Sequence, residues 1–201
     1  MLIMMKERDI CRGCKRGNAV AQRELYDRYS PNLLAVIYRY VGNDDDAKDV
    51  LHDTFVKAYT MIDSFAWAGD GSLQAWLTRI AVNTALNFLR SRKRLSALTI
   101  DTADLDDPPP EMMEEATVTE VNSLDASTIL EMVAELPDGY RTVFNLYCLD
   151  GYSHREIAEQ LGINEKSSSS QLARAKALLA QKIKNYINEH NNYNHYEQQY
   201  K

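Results

Sequence analysis

Apolar residues recur every three to four positions along most of residues 1–94, which is the spacing of amphipathic α-helices. One such run ends at residues 42–44, where Gly-Asn-Asp interrupts the pattern, and a second run follows at once. A third run begins at Trp76 and ends in the basic sequence at 90–94. A loop with two glycines, at residues 65–72, separates the second run from the third. No stretch alternates as a strand would, so the pattern predicts an all-α domain.

Four shorter helical patterns occupy residues 126–187. Turn residues end the first pattern at 137–139 and the second at 150–151, because proline and glycine interrupt helices. The second pattern has its apolar face at positions 143, 144, 147 and 148, so we expect Cys148 to be a small core residue. The tail at 188–201 has almost no aliphatic residue, and we expect it to be disordered or only weakly helical.

An acidic segment separates the two helical regions. Residues 95–125 contain nine Asp or Glu, no Lys or Arg, and three consecutive prolines. Proline cannot continue a helix and like charges extend a chain, so we interpret this segment as a linker between two small domains. The net charge of −6 does not exclude nucleic acid as a partner. The deficit lies in the linker, whereas residues 1–94 carry 15 Lys or Arg against 11 Asp or Glu.

Residues 153–180 have the dimensions of a helix-turn-helix. The first of the two helices opens with the capping-box sequence Ser-His-Arg-Glu at 153–156, and Gly162 supplies a tight turn before a longer helix from about Asn164. In such a unit the second helix enters the major groove of duplex DNA, where its polar N-terminal side chains meet base edges. Here those side chains lie at positions 166–171, with Arg174 and Lys176 placed for phosphates. The alternative is an ordinary helical hairpin with a solvated polar face.

The loop at 65–72 contains two aromatic residues and precedes a helix that carries Arg and Asn on one face. We expect Phe65 and Trp76 to be core residues and Trp67, between two alanines, to be exposed. An exposed aromatic ring beside a polar face suits a strand whose bases have left the stack. The basic run at 90–94 would either complement the helix dipole or bind a nucleic-acid backbone, and both interpretations stay open.

Other classes of protein find little support in the composition. No apolar run approaches the roughly 18 residues that a membrane span requires, and residues 1–5 do not form a secretory signal. We therefore expect a cytoplasmic protein. Cys11-Arg-Gly-Cys14 would be half of a zinc site or a redox pair, but no matching ligand pair follows. No phosphate-binding glycine loop or nucleophile motif occurs, so we expect neither an enzyme nor a cofactor.

Six stretches in this order resemble the extracytoplasmic-function, or group IV, sigma factors of bacterial RNA polymerase. Together they make the resemblance specific, and it covers roughly residues 8–185. The stretches are ELYDRY at 24–29, DAKDVLHDTF at 46–55, WLTRIAVN at 76–83, LPDGYRTVF at 136–144, YSHREIAEQLG at 152–162 and SQLARAK at 170–176.

The resemblance implies two helical domains, 1–94 and 126–187, joined by the linker, and three binding surfaces. Core RNA polymerase would be contacted by Asp46, Asp49, Val50, His52, Asp53 and Phe55. The melted −10 promoter element would be contacted by Trp67, Arg79, Asn83, Asn87, Arg90 and Arg92. The −35 duplex would be contacted by Arg141, Ser153, Arg155, Lys166, Ser167, Ser169, Ser170, Gln171 and Arg174. The acidic linker would run through the polymerase toward the active site and RNA exit channel, and an anti-sigma protein is a further implied partner.

The sequence departs from the family pattern at four positions. Lys48 and His52 replace residues that are commonly acidic and glutamine, which alters the expected polymerase contact. Ser169 and Gln171 stand where many members carry Lys or Arg, so we expect fewer phosphate contacts and a weaker salt dependence of binding. The alternative function is a helix-turn-helix regulator that binds DNA without polymerase.

Overall fold

The computed structural model describes residues 5–97 and 124–199, with side chains up to residue 92 and again from 124 to 190. The chain divides into two compact units, Met1–Asp101 and Thr102–Lys201. All regular elements in the described residues are helical, which confirms the all-α prediction. Residues 98–123, most of the predicted linker, lie outside the described part of the chain.

Residues 5–97, the described part of the first unit, form four α-helices and a short 3-10 turn. These are α1 (Glu7–Lys15), α2 (Ala19–Val41), α3 (Asp44–Met61), the turn Ile62–Ser64, and α4 (Ser72–Ala97). The sequence pattern did not separate α1 from α2. The break between them comes from Gly17, which has a φ of 69°, and from Asn18. The Asn18 side chain accepts hydrogen bonds from the backbone N–H groups of Val20 and Ala21, both at 3.0 Å, and so caps α2.

Helix α2 is the centre of the first unit and packs against α1, α3 and α4. Its buried face includes Leu25, Leu33, Ile37 and Tyr40, each almost inaccessible to solvent. Burial of one such aliphatic side chain contributes roughly 1.5–3 kcal/mol. Its contact with α1 is close, because a Cβ atom at Gly13 would lie 2.4 Å from the Cβ of Ala21.

The second unit contains a short helical pair followed by the helix-turn-helix. From residue 124 onward, its described elements are α5 (Ala126–Ala134), α6 (Asp138–Phe144), a π-helical turn (Asn145–Leu149), α7 (His154–Leu161) and α8 (Glu165–Gln199). Met132 and Val133 of α5 pack with Leu179 and Ile183 of α8 in one apolar cluster. The long helix α8 therefore belongs to both the helix-turn-helix and the core of its unit.

The π-helical turn corrects the predicted face of the second pattern. Cys148 is exposed, and Tyr147 is 40% exposed, whereas Asn145 and Leu146 are fully buried. A π-turn adds a residue to the helical repeat, so the positions after it rotate away from the face that a 3.6-residue period predicts. The expectation that Cys148 is a core residue was therefore wrong.

Helix α8 continues through Gln199, into the tail for which the sequence predicts disorder or weak helicity. That expectation for residues 188–201 stays a prediction. No glycine or proline follows Gly162, so no residue that breaks helices interrupts the backbone. Side chains four residues apart also support the helix, since the rings of Tyr186 and His190 stack with centroids 3.9 Å apart.

Candidate nucleic-acid and partner interfaces

The predicted helix-turn-helix is present, and local capping explains both of its helix starts. Ser153 and Glu156 form a reciprocal capping box in which the Ser153 N–H donates to Glu156 Oε2 at 2.9 Å. Gly162, with a φ of 69°, ends α7, and its N–H donates to the Ala158 carbonyl at 2.9 Å. The Asn164 side chain then caps α8 by accepting from the Ser167 N–H at 2.7 Å. The short turn thus places the N-terminus of α8 beside α7.

The serine run at the start of α8 is divided between the interior and the surface. Ser168 is fully buried, and its hydroxyl lies 2.9 Å from His154 Nδ1 of α7. Lys166, Ser169 and Ser170 are exposed. Ser167, Gln171 and Arg174 are half-buried. The predicted contacts of α8 therefore share a polar surface around the helix start, while Ser168 fixes α8 to α7.

The structure does not place Arg141 on this surface. Its side chain is 5% exposed, and the guanidinium donates to the carbonyls of Ala134 and Leu136 at 2.6 and 2.9 Å and to Asp138 Oδ1 at 2.6 Å. A buried guanidinium with these partners cannot reach a phosphate, so its prediction as a DNA contact is corrected. Arg141 instead satisfies carbonyls at the end of α5, where a helix leaves acceptors without donors.

The other two predicted residues of this group lie at the start of α7 and are exposed. The Arg155 side chain is 76% exposed and reaches Glu159 only at 3.9 Å. Ser153, at the N-cap, lies beside it. Both are accessible to a DNA backbone passing the N-termini of α7 and α8.

The loop at 65–72, here called the aromatic loop, has the exposure that its sequence predicts. Phe65 is buried and packs on Trp76 with ring centroids 5.0 Å apart, although Trp76 is only half-buried. Trp67 is 37% exposed. An accessible indole ring provides a surface on which a base can stack.

The predicted polar face of α4 follows the aromatic loop along the chain. Arg79, Asn83, Asn87 and Arg90 are all exposed and recur at three-to-four spacing, so they occupy one stripe of the helix. Asn87 Oδ1 accepts from Arg90 Nη1 at 2.7 Å. Arg92, also predicted here, is half-buried and forms an ion pair with Asp46 of α3 at 3.2 Å.

Sequence reasoning missed the residues of α1 that contact the aromatic loop and the start of α4, among them Arg8 and Glu7. The guanidinium carbon of Arg8 lies over the indole ring of Trp67, 5.2 Å from the ring centroid. The carboxylate of Glu7 accepts from the N–H groups of Gly71 and Leu73, both at 2.7 Å. About 60 residues separate these partners in the chain, so no local pattern indicated the contacts.

The predicted polymerase-contact residues of α3 divide into exposed and buried groups. Asp49, His52 and Asp53 are exposed, and Asp46 is half-buried. Val50 and Phe55 are buried, and the Phe55 ring packs 4.7 Å from that of Tyr26. This corrects their prediction as surface contacts, because both hold α3 against its neighbours and only the polar members reach solvent.

Cys11 and Cys14 are buried free thiols on the face of α1 that packs inside the first unit. Burial raises the pKa of Cys14 to about 11, and it also raises the pKa of Cys11. The neighbouring Tyr59 is affected in the same way, with burial raising its pKa to about 12. Because thiols react and ligate metals as thiolates, this environment favours a packing role for the pair. Within the described residues, no three His, Cys, Asp or Glu side chains are grouped as metal ligands.

Comparison with known proteins gives a consistent result along the chain. The family model for sigma-70 region 2 matches residues 25–95, and that for sigma-70 region 4 matches residues 127–179. The ECF RNA polymerase sigma-E factor of Haemophilus influenzae is 30% identical over 182 residues, which are 84% of this chain and 90% of that protein. The ECF RNA polymerase sigma factor SigW of Bacillus subtilis is 30% identical over 92% of this chain and 99% of its own length.

Among solved structures, the sigma factor RpoE of Bartonella quintana, in complex with the anti-sigma factor NepR, is 23% identical. The match covers 80% of this chain and 94% of that chain, with a TM-score of 0.47. None of the helices in the described ranges has the length and apolar content of a membrane span.

Proposed function

The chain belongs to the extracytoplasmic-function sigma factors, and we propose that it directs core RNA polymerase to promoters through two separate helical surfaces. One surface would bind duplex DNA and the other would hold unpaired bases. The observation that carries this proposal is the presence of a capped helix-turn-helix in one unit and of an exposed tryptophan beside an Arg/Asn stripe in the other.

The −35 element would be bound at the start of α8. Lys166, Ser169 and Ser170 are exposed there, and serine hydroxyls donate and accept hydrogen bonds at base edges. Gln171 follows on the same surface, and Arg174 would contact phosphates. The −35 surface that we propose excludes Arg141 and retains Ser153, Ser167 and Arg155.

The −10 element would be bound by the aromatic loop and the polar stripe of α4. Removing a base from the stack costs a few kcal/mol, and stacking on an aromatic ring returns roughly 1–3 kcal/mol per base. The indole of Trp67 offers that ring, while Arg79, Asn83, Asn87 and Arg90 offer hydrogen-bond donors along the strand. We propose that Arg92 acts through its ion pair with Asp46 and orients the end of this stripe.

The polymerase contact would use the exposed acidic side of α3. Asp49 and Asp53 are four residues apart, and His52 lies between them, so the three form a polar surface above the buried Phe55. Family membership supports core RNA polymerase and an anti-sigma protein as the protein partners. Because bacterial transcription takes place in the cytoplasm, we propose that the chain acts there and that its role is regulatory, without catalysis of its own.

In vitro transcription with core polymerase tests this function directly. Fragmented genomic DNA from the organism that encodes the chain serves as template, and the 5′ ends of the transcripts are mapped by sequencing. We expect a defined set of start sites that appears only when the chain is added. Identical start sites with and without the chain would reject the proposal.

A binding experiment on the mapped promoters separates a sigma factor from a polymerase-independent regulator. The isolated chain is titrated onto duplex DNA that spans the mapped start sites, with and without core polymerase. A polymerase-independent regulator would bind these duplexes equally well with and without core polymerase. For a sigma factor we expect melting of the −10 region only when core polymerase is present.

A further inference from the structure

Helix α1 lies before the residues that the sigma-70 region 2 model matches, yet it contacts both ends of the aromatic loop. At the end that leads into α4, both carboxylate oxygens of Glu7 accept from backbone N–H groups, those of Gly71 and Leu73, each at 2.7 Å. The first N–H groups of a helix have no partner within it, so Glu7 supplies acceptors that α4 itself lacks.

At the other end of the loop, the last residue of α1 binds backbone carbonyls. Lys15 Nζ donates to the carbonyl of Phe65 at 2.7 Å and to that of Asp63 at 3.2 Å. Hydrogen bonds that involve a charged partner are about twice as strong as neutral ones. The two ends of the aromatic loop are therefore held by opposite charges at the two ends of one helix.

Between these attachments, the side chain of Arg8 covers one face of the exposed tryptophan. Its guanidinium carbon lies 5.2 Å from the centroid of the Trp67 ring, within the range of a cation–π contact. A base that stacks on Trp67 would then use the other face. The Arg8 side chain is itself exposed, so its positive charge lies at the surface where a nucleic-acid strand would pass.

Helix α1 is firmly packed in the first unit and can therefore hold the aromatic loop in place. Ile10, Cys11 and Cys14 are buried, and Gly13 allows the close approach of Ala21. Arg28 of α2 also donates to the carbonyl of Met5 at 2.7 Å, which attaches the chain two residues before the start of α1 to the same unit. A rigid helix that grips both ends of a loop reduces the loop's freedom before any ligand binds.

From these contacts we infer that α1 forms part of the single-strand capture site. Glu7 and Lys15 pre-organise the aromatic loop, and Arg8 is a positioning residue that sets the orientation of the Trp67 ring for an unpaired base. The inference rests on the proposed capture of the −10 strand by this loop and adds α1 to it.

Strand binding by the assembled holoenzyme tests the inference. The probe is a fluorescent single-stranded oligonucleotide with the non-template −10 sequence of a start site mapped as above. Arg8→Ala and Glu7→Ala are compared with Arg12→Ala as a matched control on α1. Arg12 is exposed and pairs only loosely with Asp9, at 3.7 Å, and no contact of it with the loop is seen. Binding to −35 duplex and to core is measured in parallel.

We expect Arg8→Ala and Glu7→Ala to weaken binding of the oligonucleotide about three- to tenfold, the effect of losing one exposed cation–π or charged contact. Arg8→Lys should restore part of this loss, because an ammonium also binds the face of an indole. Arg12→Ala should bind like the wild type. Duplex and core binding should not change in any of the variants.

A spectroscopic readout separates positioning from general stability. Trp67 and Trp76 are the only tryptophans, so a Trp76→Phe background leaves Trp67 as the sole indole. In that background, Arg8→Ala should increase quenching of Trp67 by acrylamide without DNA, while Arg12→Ala should not. Thermal unfolding identifies any loss of fold in Glu7→Ala. Because the Arg8 side chain is exposed, we expect Arg8→Ala to fold normally, so its effect on strand binding tests the inference on its own.

The results distinguish a failure of the role of α1 from a failure of the proposed strand capture. If wild-type holoenzyme binds the oligonucleotide no better than core does, strand capture by this loop fails and the inference fails with it. If the wild type captures the strand, and Arg8→Ala and Glu7→Ala both bind the oligonucleotide as well as Arg12→Ala does, only the role of α1 is overturned.

Discussion

Two arginines of the second unit show how burial decides what a charged side chain does. Arg141 and Arg155 both lie in stretches that resemble sigma factors, and the resemblance predicts a DNA contact for each. Arg141 is enclosed and donates to two carbonyls and a carboxylate, whereas Arg155 extends into solvent. Residue type and position in a motif do not distinguish these cases, because only the packed unit determines which side of the helix is covered.

We predict opposite effects for the two alanine substitutions. Arg141→Ala removes the side-chain donor to the carbonyls of Ala134 and Leu136 and should lower the free energy of unfolding by about 2–4 kcal/mol. Arg155→Ala should change it by less than about 0.5 kcal/mol but weaken binding to −35 duplex. Urea unfolding and duplex titration measure the two effects. Equal stability of the two variants would show that Arg141 is not a buried donor in solution.

A half-buried tyrosine in the first unit, Tyr59, predicts a loss of stability at alkaline pH. The Tyr59 hydroxyl donates to the Gln22 carbonyl at 2.9 Å, and burial raises its pKa from 10.0 to about 12. Because the pKa is raised in the folded state, Tyr59 makes its full contribution to the free energy of unfolding below pH 10. It is then lost as the pH rises toward 12, because the unfolded chain ionises first.

Tyr59→Phe should therefore be less stable than the wild type at neutral pH, through loss of the hydrogen bond, and the difference should shrink between pH 10 and 12. Chemical unfolding across this range measures it. The matched control is Tyr26→Phe, since Tyr26 packs on the same Phe55 ring but is 44% exposed. A constant difference between Tyr59→Phe and wild type across the range would contradict the raised pKa.

At the scale of elements, the sequence predicts those features that are determined locally. The α7 capping box, the Gly162 turn and the exposed loop around Trp67 follow from neighbouring residues, and the structure has all three. The π-helical turn at Asn145–Leu149 does not follow from a 3.6-residue period, and it moves Cys148 to the surface. The contacts of α1 with the aromatic loop depend on residues about 60 positions apart, so they appear only in the folded unit.

The capping box makes a prediction about α7 as an element. Ser153→Ala removes the acceptor for the Glu156 N–H and should lower the free energy of unfolding by about 1 kcal/mol. Hydrogen bonds from Ser153 lower the pKa of Glu156, so the contribution of its carboxylate is present above its ordinary pKa. It is lost as the pH falls through the lowered value.

Acid unfolding of Ser153→Ala, Glu156→Gln and the matched control Glu159→Gln checks this element. Glu159 lies on the same helix and has only a 3.9 Å ion pair with Arg155. We expect Glu156→Gln to change the pH dependence of stability below the ordinary glutamate pKa of 4.5 and Glu159→Gln to change it less. The same acid profile for both variants would show that the box is not formed in solution.

At the scale of the whole molecule, the two proposed DNA surfaces belong to different compact units of one chain. Within the described residues, each of these surfaces lies on a unit with its own core. Helix α2 organises the core of the first unit, and the apolar cluster of Met132, Val133, Leu179 and Ile183 joins α5 to α8 in the second. A substitution on one surface therefore leaves the packing of the other unit intact. The division of the chain lets duplex binding and strand capture be changed separately, although a promoter requires both.

This separation predicts a pair of complementary defects. Trp67→Ala should reduce open-complex formation about 5- to 100-fold, the loss of one base–aromatic stack, with −35 duplex binding unchanged. Trp67→Phe should retain much of the activity, because a ring remains. Arg174→Ala should weaken −35 binding and lower the log–log salt slope by about one, as expected for one lost phosphate contact. Lys182→Ala, which removes a positive charge farther along the same helix, is the matched control.

The double variant Trp67→Ala/Arg174→Ala decides whether the surfaces act independently. Substitutions in separate units that share no partner should have additive free-energy effects, so the fold losses in open-complex formation should multiply. Permanganate reactivity of the −10 thymines measures melting, and duplex titration at several salt concentrations measures the other contact. If Trp67→Ala left permanganate reactivity unchanged, the aromatic loop would not capture the strand. If it weakened −35 binding as strongly as Arg174→Ala does, the two units would act on DNA as one surface.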